Sequence, residues 1–131
     1  LQVQVPGEAL VWCDPRLVDQ VLVNLLDNAL RHGRPGGVVQ LTIDVTEHCW
    51  SLHVHDDGPG IPAGEEEAIF SRFYRAGGSD ESTGTGLGLA LGAAIAALHG
   101  GAISARNAGG ARFTMTLPQP SAPHLEPEEA A

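Results

Sequence analysis

The sequence has 131 residues, of which 43% are hydrophobic, and a formal net charge of −9 at pH 7. A chain of this length can bury one hydrophobic core, which predicts a single folded domain. The acidic balance disfavours nucleic acid and anionic membranes as partners. The chain contains no lysine. This excludes the phosphate-binding loop GxxxxGK[ST], because that loop depends on its lysine.

The sequence also argues against a secreted or membrane-spanning chain. Its apolar run at 87–98 is shorter than the roughly 20 residues that cross a bilayer, and we find no signal peptide. Cys13 and Cys49 are isolated and lack CxxC spacing, which favours reduced core thiols over a disulfide or a metal site. We therefore expect a cytoplasmic domain that is monomeric in isolation and makes no membrane contact, in a parent protein that is either soluble or membrane-anchored.

Capping residues and periodicity predict the elements in chain order. Asp14 and Pro15 are typical of the start of a helix, and the glycine-rich stretch after His32 should end that helix. Alternating apolar residues indicate strands elsewhere. The predicted strands are 2–5 and 10–13, joined as a hairpin, then 39–45, 50–54, 102–106 and 112–117; the predicted helices are 14–32, 64–74 and 86–99.

These elements do not alternate as regular βαβ units, which favours an α+β fold. We predict a two-layer α/β sandwich, in which one mixed sheet is covered on one face by three helices. The folded domain should span residues 1–117. Residues 118–131 are rich in proline, alanine and glutamate, and we expect a disordered tail there.

The first helix carries polar residues along one edge of its apolar stripe. At about 100° per residue, Asn24, Asn28, Arg31 and His32 lie beside the buried face rather than opposite it. Such amides would line a cleft between core and solvent, and amide oxygens are ligands that Mg²⁺ accepts. The alternative is that both asparagines only hydrogen bond the neighbouring backbone.

Asp56 is a carboxylate at the apolar end of a strand. Side chains alternate along a strand, so Asp56 should share the buried face of Trp50, Leu52 and Val54. A buried carboxylate is unfavourable unless it is hydrogen-bonded, and an adenine amino group is a matching donor. The alternative, a carboxylate that caps a turn, suits Asp57 better, because Asp57 points to the opposite face.

Glycines surround two further segments. Gly58 and Gly60 would allow the backbone to pass close to a flat ring. The run 84–89, GTGLGL, lies at a predicted helix start, where backbone N–H groups and the helix dipole attract anions. The preceding residues 76–85 have almost no apolar anchor and should be mobile. On the strand at 50–54 and just after it, His53 and His55 should simply face solvent.

Four segments together resemble a known family. They are 24–28 (NLLDN), 56–61 (DDGPGI), 70–73 (FSRF) and 84–89 (GTGLGL). Their order and spacing resemble the N, G1, F and G2 boxes of the catalytic ATP-binding domain of sensor histidine kinases, in the superfamily that also holds the gyrase and MutL ATPases. The resemblance spans about residues 14–117.

The resemblance implies the sandwich fold, ATP and Mg²⁺ as cofactors, and a role for each matching residue. Asn24 and Asn28 are the catalytic candidates, Asn28 as the Mg²⁺ ligand and Asn24 as a supporting polar residue. Arg31 and His32 would contact phosphate and the sugar side, and Asp56 would bind adenine. A lid at 76–85 would close over the triphosphate. The remaining candidate nucleotide-binding residues are Gly58, Gly60, Ile61, Phe73, Arg75, Thr85, Gly86, Leu87 and Gly88.

The resemblance further implies transfer of the γ-phosphoryl group to a histidine on a separate dimerisation and phosphoacceptor domain of the parent protein, with a response regulator as a further partner. Family acceptor histidines lie on a helix and precede an acid. Of the six histidines here only His55 precedes one, and it lies near a strand end. Two alternatives are a serine kinase or ATPase of the same superfamily and a degenerate nucleotide-binding module. Hydrolytic members carry a glutamate in place of Asn24, which argues against the first.

Overall fold

The computed structural model describes residues 1–5, 7, 10–71 and 88–119. Within these ranges one five-stranded mixed sheet is present, with strand order β1-β2-β3-β5-β4. The β1–β2 pair is parallel and the other three pairs are antiparallel. The elements are β1 (Gln2–Gln4), α1 (Pro15–His32), β2 (Val39–Val45), β3 (Cys49–Asp56), a 3₁₀ turn (Ala68–Phe70), α2 (Gly88–Leu98), β4 (Ala102–Asn107) and β5 (Ala111–Pro118).

Both described α-helices pack on one face of the sheet. Along β3 and β5 every second residue is buried, and these side chains pack with the apolar stripe of α1 and with α2 in one core. The other face of the sheet carries polar residues. The predicted α+β two-layer sandwich is therefore confirmed. The core residues from β3, β5, α1 and α2 are Trp50, Leu52, Val54, Phe113, Met115, Leu117, Val21, Leu25, Ala29, Ile95 and Ala96.

Local sequence determines where α1 begins and where α2 ends. Asp14 caps α1 as predicted, because its carboxylate accepts hydrogen bonds from the backbone N–H groups of Arg16 and Leu17 at 3.0 and 3.3 Å. At the end of α2, Gly100 adopts a left-handed φ of 77°. Gly101 N–H then donates to the carbonyl of Ala96 at 2.9 Å. This is a Schellman-type C-terminus, and it requires the glycine.

The predicted hairpin of residues 2–5 and 10–13 is wrong. β1 pairs in parallel with β2, and residues 10–13 form no strand. This segment is held instead by single contacts with distant parts of the chain: Trp12 N–H donates to Gln119 Oε1 at 3.1 Å, and the Trp12 carbonyl accepts from the Trp50 indole at 3.4 Å. The alternation of half-buried Val11 with exposed Trp12 therefore reflects an extended segment that lies against other elements.

The predicted helix at 64–74 is also wrong for residues 64–71, since the helical part is only the 3₁₀ turn Ala68–Phe70. Ile69 still bonds to the Glu65 carbonyl, but Phe70 and Ser71 bond to carbonyls three residues back, a pattern that does not extend into long helices. Residues 72–74 lie outside the described ranges. Two α-helices and this turn therefore cover the described sheet.

The remaining predicted strands agree with the structure to within one or two residues. β5 extends through Pro118, and the Gln119 backbone N–H donates to the His48 carbonyl at 2.8 Å. Residues 120–131, the rest of the expected tail, lie outside the described part. None of the described helices has the length and apolar character that crossing a membrane requires.

Candidate functional site

Asn24 and Asn28 on α1 are both half-buried, but they differ in their contacts. Asn24 accepts a hydrogen bond from Gln20 Nε2 at 2.9 Å and donates one to the Gly88 carbonyl at 3.2 Å. Within the described ranges, no residue hydrogen bonds to the Asn28 side chain. Asn24 therefore links α1 to the start of α2, whereas the Asn28 amide remains available.

Arg31 and His32 are exposed at the end of the same helix. The Arg31 Nε forms an ion pair with Asp27 Oδ2 at 2.8 Å, one helical turn back. Its side chain is 44% exposed, so this pair is a weak surface interaction that Arg31 can exchange for another anion.

Asp56 is the last residue of β3 and is only 3% exposed. As parity predicted, it shares the buried face of its strand. Its Oδ1 accepts hydrogen bonds from Gly58 N–H at 2.8 Å and from Ala111 N–H at 3.3 Å. Among the described residues, none donates to Oδ2. The sequence predicted that an adenine amino group alone would donate to this carboxylate, but Gly58 and Ala111 already donate to Oδ1, and within the described part of the chain only Oδ2 lacks a donor.

The glycines after Asp56 allow close contact between protein segments. A Cβ at Gly58 would lie 2.5 Å from the His32 carbonyl oxygen and 2.8 Å from Gly33 Cα, so Gly58 packs directly against the end of α1. Gly60 has a left-handed φ of 86°. The described backbone alone therefore accounts for glycine at both positions. Ile61, at the end of the segment, is 8% exposed.

Sequence reasoning predicted a turn between β4 and β5 at residues 107–110 but missed what this turn contacts. Asn107 Oδ1 accepts from Ile61 N–H at 2.7 Å, and Asn107 Nδ2 donates to the Ile61 carbonyl at 3.0 Å. Gly110 has a φ of 125°, and a Cβ there would lie 1.9 Å from the Asp56 carbonyl oxygen. The only signal was the turn sequence NAGG itself, which predicts a turn but not what the turn contacts.

Asp57 follows the last residue of β3 and stabilises a different loop from its own. Its Oδ2 accepts from Val38 N–H at 3.1 Å and from Arg34 Nη2 at 3.0 Å. The hydrogen bond from Val38 lowers the pKa of Asp57 below its usual value, and the Arg34 guanidinium lowers this pKa further. Asp57 therefore fixes the loop after α1.

The other sequence candidates lie at the start of α2 or outside the described part. Gly88 is the first residue of α2 as described, and a Cβ there would lie 3.6 Å from Asn24 Cγ. Phe70 packs edge-to-face on Phe113 of the core, with ring centroids 6.2 Å apart. The candidates Phe73, Arg75, Thr85, Gly86 and Leu87, together with the expected lid at 76–85, fall outside the described residues.

His53 does not simply face solvent. Its side chain is 14% exposed and bridges β2 and β5 on the outer sheet face, with Nδ1 2.9 Å from Thr114 Oγ1 and Nε2 3.0 Å from Asp44 Oδ2. Burial lowers the pKa of His53, and the nearby Arg112 lowers it further. His55 Nε2 lies 2.7 Å from the Ala108 carbonyl oxygen. Both histidines therefore have structural partners.

The segments 24–28 and 56–61 and the described end of the segment 84–89, which is Gly88 and Leu89, thus meet on the helix side of the sheet, where it ends at Asp56. α1 contacts the 56–61 segment through the His32 carbonyl and contacts the start of α2 through Asn24. The meeting point offers a buried carboxylate oxygen, a half-buried amide and exposed cationic groups. This combination suits a ligand with hydrogen-bond donors at one end and anionic, metal-bound groups at the other.

Comparison with known proteins agrees with this arrangement. A family model described as histidine kinase-, DNA gyrase B- and HSP90-like ATPase matches residues 13–121. Curated relatives include the signal transduction histidine-protein kinase AfsQ2 of Streptomyces coelicolor, 45% identical over 113 residues. Another is the sensor protein KdpD of Escherichia coli, 42% identical over 119 residues. These alignments cover 84% and 89% of this chain but only 21% and 13% of the relatives.

Solved structures show the same fold. The mycobacterial sensor histidine kinase MprB superimposes with a TM-score of 0.81 at 30% identity, covering 92% of this chain and 84% of MprB. The catalytic domain of the histidine kinase ThkA gives a TM-score of 0.78 at 32% identity, covering 89% of this chain and 78% of ThkA. Full-length ShkA in complex with AMPPNP gives 0.77 at 26% identity, covering 92% of this chain and 26% of ShkA.

The fold and the meeting of the N, G1 and G2 segments define an ATPase-type catalytic domain. The chain belongs to the histidine kinase-, DNA gyrase B- and HSP90-like ATPase family, and within it to the catalytic domains of sensor histidine kinases.

Proposed function

We propose that this chain binds Mg²⁺-ATP between α1, the end of β3 and the start of α2, and donates the γ-phosphoryl group to a histidine on a separate dimerisation and phosphoacceptor domain. The observation that carries the proposal is that, among the described residues, only one oxygen of the Asp56 carboxylate, Oδ1, accepts hydrogen bonds. A carboxyl oxygen in a residue that is 3% exposed is unfavourable without a hydrogen-bond partner. The adenine amino group is the donor that we assign to Oδ2.

The contrast between the two asparagines supports the metal assignment. Asn24 already uses its amide in contacts with Gln20 and Gly88, so it is suited to a supporting role. Asn28 has no hydrogen-bond partner in the described part and exposes an amide oxygen one turn further along α1. Mg²⁺ binds through a few protein oxygens together with water and phosphate oxygens, and Asn28 would supply one of them.

Phosphate contacts complete the proposal. Arg31 and His32 lie one turn beyond Asn28, and Arg31 would exchange Asp27 for phosphate. Gly88, the last glycine of the run 84–89, adjoins Asn24, which supports assigning phosphate contacts to this run. We assign the other phosphate and lid contacts to Phe73, Arg75, Thr85, Gly86 and Leu87, and the adenine floor to Gly58, Gly60 and Ile61. Phosphoryl transfer depends mainly on such positioning and charge neutralisation.

The acceptor must lie outside the described residues, because none of the histidines there has the context of a phosphoacceptor. His32 and His99 lie at helix ends before glycines, His48 follows β2, and His53 and His55 lie in β3. His99 also uses both ring nitrogens, in contacts with Asp14 N–H and the Ile95 carbonyl. We therefore propose the helical domain of the parent protein as acceptor and a response regulator as the subsequent partner.

The proposal is tested by incubating the chain with γ-labelled ATP, Mg²⁺ and the parent's helical domain as a separate polypeptide. We expect acid-labile label on that partner and none on this chain. The matched control is the same partner with its acceptor histidine replaced by glutamine, which should stay unlabelled. Acid-stable label on this chain would favour a serine kinase. Release of free phosphate without any labelled protein would favour an ATPase. ATP binding without turnover would favour a degenerate binding module.

A further inference from the structure

The turn between β4 and β5, defined as residues 107–111, contacts the 56–61 segment at both of its ends. At one end, Gly110 packs against the Asp56 carbonyl, and Ala111 N–H donates to Asp56 Oδ1 at 3.3 Å. At the other end, the Asn107 side chain bonds both backbone groups of Ile61, at 2.7 and 3.0 Å. The turn therefore fixes the ends of this segment relative to each other.

The Asn107–Ile61 pair is specific to an asparagine amide. Its oxygen receives an N–H and its nitrogen donates to a carbonyl, so the side chain pairs with Ile61 as a neighbouring strand would. Gly60 fits the same contact, because a Cβ there would lie 2.4 Å from Asn107 Oδ1. Within the described part, Asn107 is the only side chain from outside the segment that hydrogen bonds to the backbone of residues 58–61.

We propose that Asn107 is a positioning residue for adenine binding, which acts through the 58–61 backbone without touching the nucleotide. The inference rests on the proposed function, because it assumes that adenine binds between this segment and Asp56. Without the Asn107–Ile61 pair, Asp56 Oδ1 keeps its own donors, Gly58 and Ala111, while the far end of the segment loses its fixed distance from them. Part of the binding free energy would then be used to order the segment.

The first test is titration of the chain with Mg²⁺-free ADP, which separates adenine binding from the metal. We expect Asn107→Ala to bind ADP about tenfold more weakly, the effect of losing one to two hydrogen bonds. The matched control is Arg106→Gln, the neighbouring exposed residue on β4, whose affinity should stay within about twofold of the parent. Thermal unfolding of each variant verifies that it is folded.

The second test distinguishes positioning from a general structural role. Asn107→Asp can still accept from Ile61 N–H, but its second oxygen then faces the Ile61 carbonyl, and only a protonated carboxyl can donate to that carbonyl. The ratio of variant to parent affinity should therefore rise towards one as the pH falls from about 7.5 to about 4, since an aspartate carboxyl has an ordinary pKa of about 3.9 and the facing carbonyl favours its protonated form. Because the affinity is expressed as a ratio, the effects of pH on groups that both proteins and the ligand have in common cancel.

The results separate the two proposals. If the parent binds ADP and Asn107→Ala binds equally well, or the Asn107→Asp ratio stays flat with pH, the positioning role is refuted while the proposed function stands. If neither the parent nor Arg106→Gln binds ADP, the proposed function fails and the positioning role fails with it. If Asn107→Ala does not fold, the pH dependence of Asn107→Asp decides.

Discussion

Replacing Asp56 by asparagine tests the proposed adenine site most directly. The amide oxygen of Asp56→Asn can keep the hydrogen bonds from Gly58 and Ala111, while its NH₂ group replaces Oδ2 and turns a donor towards the adenine amino group. A hydrogen bond to a charged group contributes about 1.5–3 kcal/mol. The variant loses this hydrogen bond and also places its NH₂ group against the adenine amino group, so that two donors face each other. ATP binding should therefore weaken by at least about 2 kcal/mol, or about 30-fold in Kd.

The choice of asparagine matters because Asp56 also supports the fold. Asp56→Ala would leave the N–H groups of Gly58 and Ala111 without their acceptor, and each unsatisfied buried donor costs about 1–3 kcal/mol. Asp56→Asn keeps an acceptor in place, so we expect its free energy of unfolding to change by less than about 1 kcal/mol. A loss of ATP binding in Asp56→Asn would then report on the ligand contact and not on unfolding.

The neighbouring Asp57→Asn is the matched control, because it makes the same chemical change at a carboxylate that is bound to another loop. Its contacts are Arg34 and Val38, so ATP affinity should stay within about twofold of the parent. Calorimetric titration with ATP and denaturant unfolding measure both quantities for each variant. If Asp56→Asn binds within about twofold of the parent, or Asp57→Asn loses as much affinity as Asp56→Asn, the adenine role of Asp56 is refuted.

Three further outcomes are expected. Asn28→Ala should weaken Mg²⁺-ATP binding far more than metal-free ADP binding, and Asn24→Ala should be milder; equal losses with and without Mg²⁺ in titrations would rule out Asn28 as the ligand. Because the pKa of His53 is lowered in the folded chain, the unfolded chain binds more protons at this site, so stability should fall as pH drops below about 6.5; urea unfolding of His53→Gln should show a smaller pH dependence. Gly110→Ala should destabilise the fold by more than about 2 kcal/mol through its contact with a backbone carbonyl, whereas Gly109→Ala, with nothing within 4 Å of the added Cβ, should show only its backbone strain of about 1 kcal/mol in the same unfolding assay.

The sequence predicted those features that depend on neighbouring residues. The Asp14 cap requires only the next few residues, and the inward direction of Asp56 follows from strand alternation. The contact between Asn107 and Ile61 joins residues 46 positions apart, and no local pattern encodes which loop a turn will touch. Residues 10–13 were mistaken for a strand for the same reason, since their partners lie on distant elements and not on an adjacent hairpin strand.

The proposed site shows the same arrangement twice, and this explains how it could be ordered before the ligand arrives. Within the described residues, Asp56 accepts hydrogen bonds through Oδ1 and not through Oδ2. In the same part of the chain, the side chain of Asn24 bonds to the protein and that of Asn28, one turn away, does not. The bound oxygen of Asp56 orients the other oxygen of the same carboxylate, and the Asn24 link to Gly88 fixes the helix that carries Asn28, so less conformational entropy remains to be lost when ATP binds. A substitution that removes the fixed group should therefore weaken binding through disorder, whereas one that removes the available group should weaken binding through a lost contact with the fold unchanged.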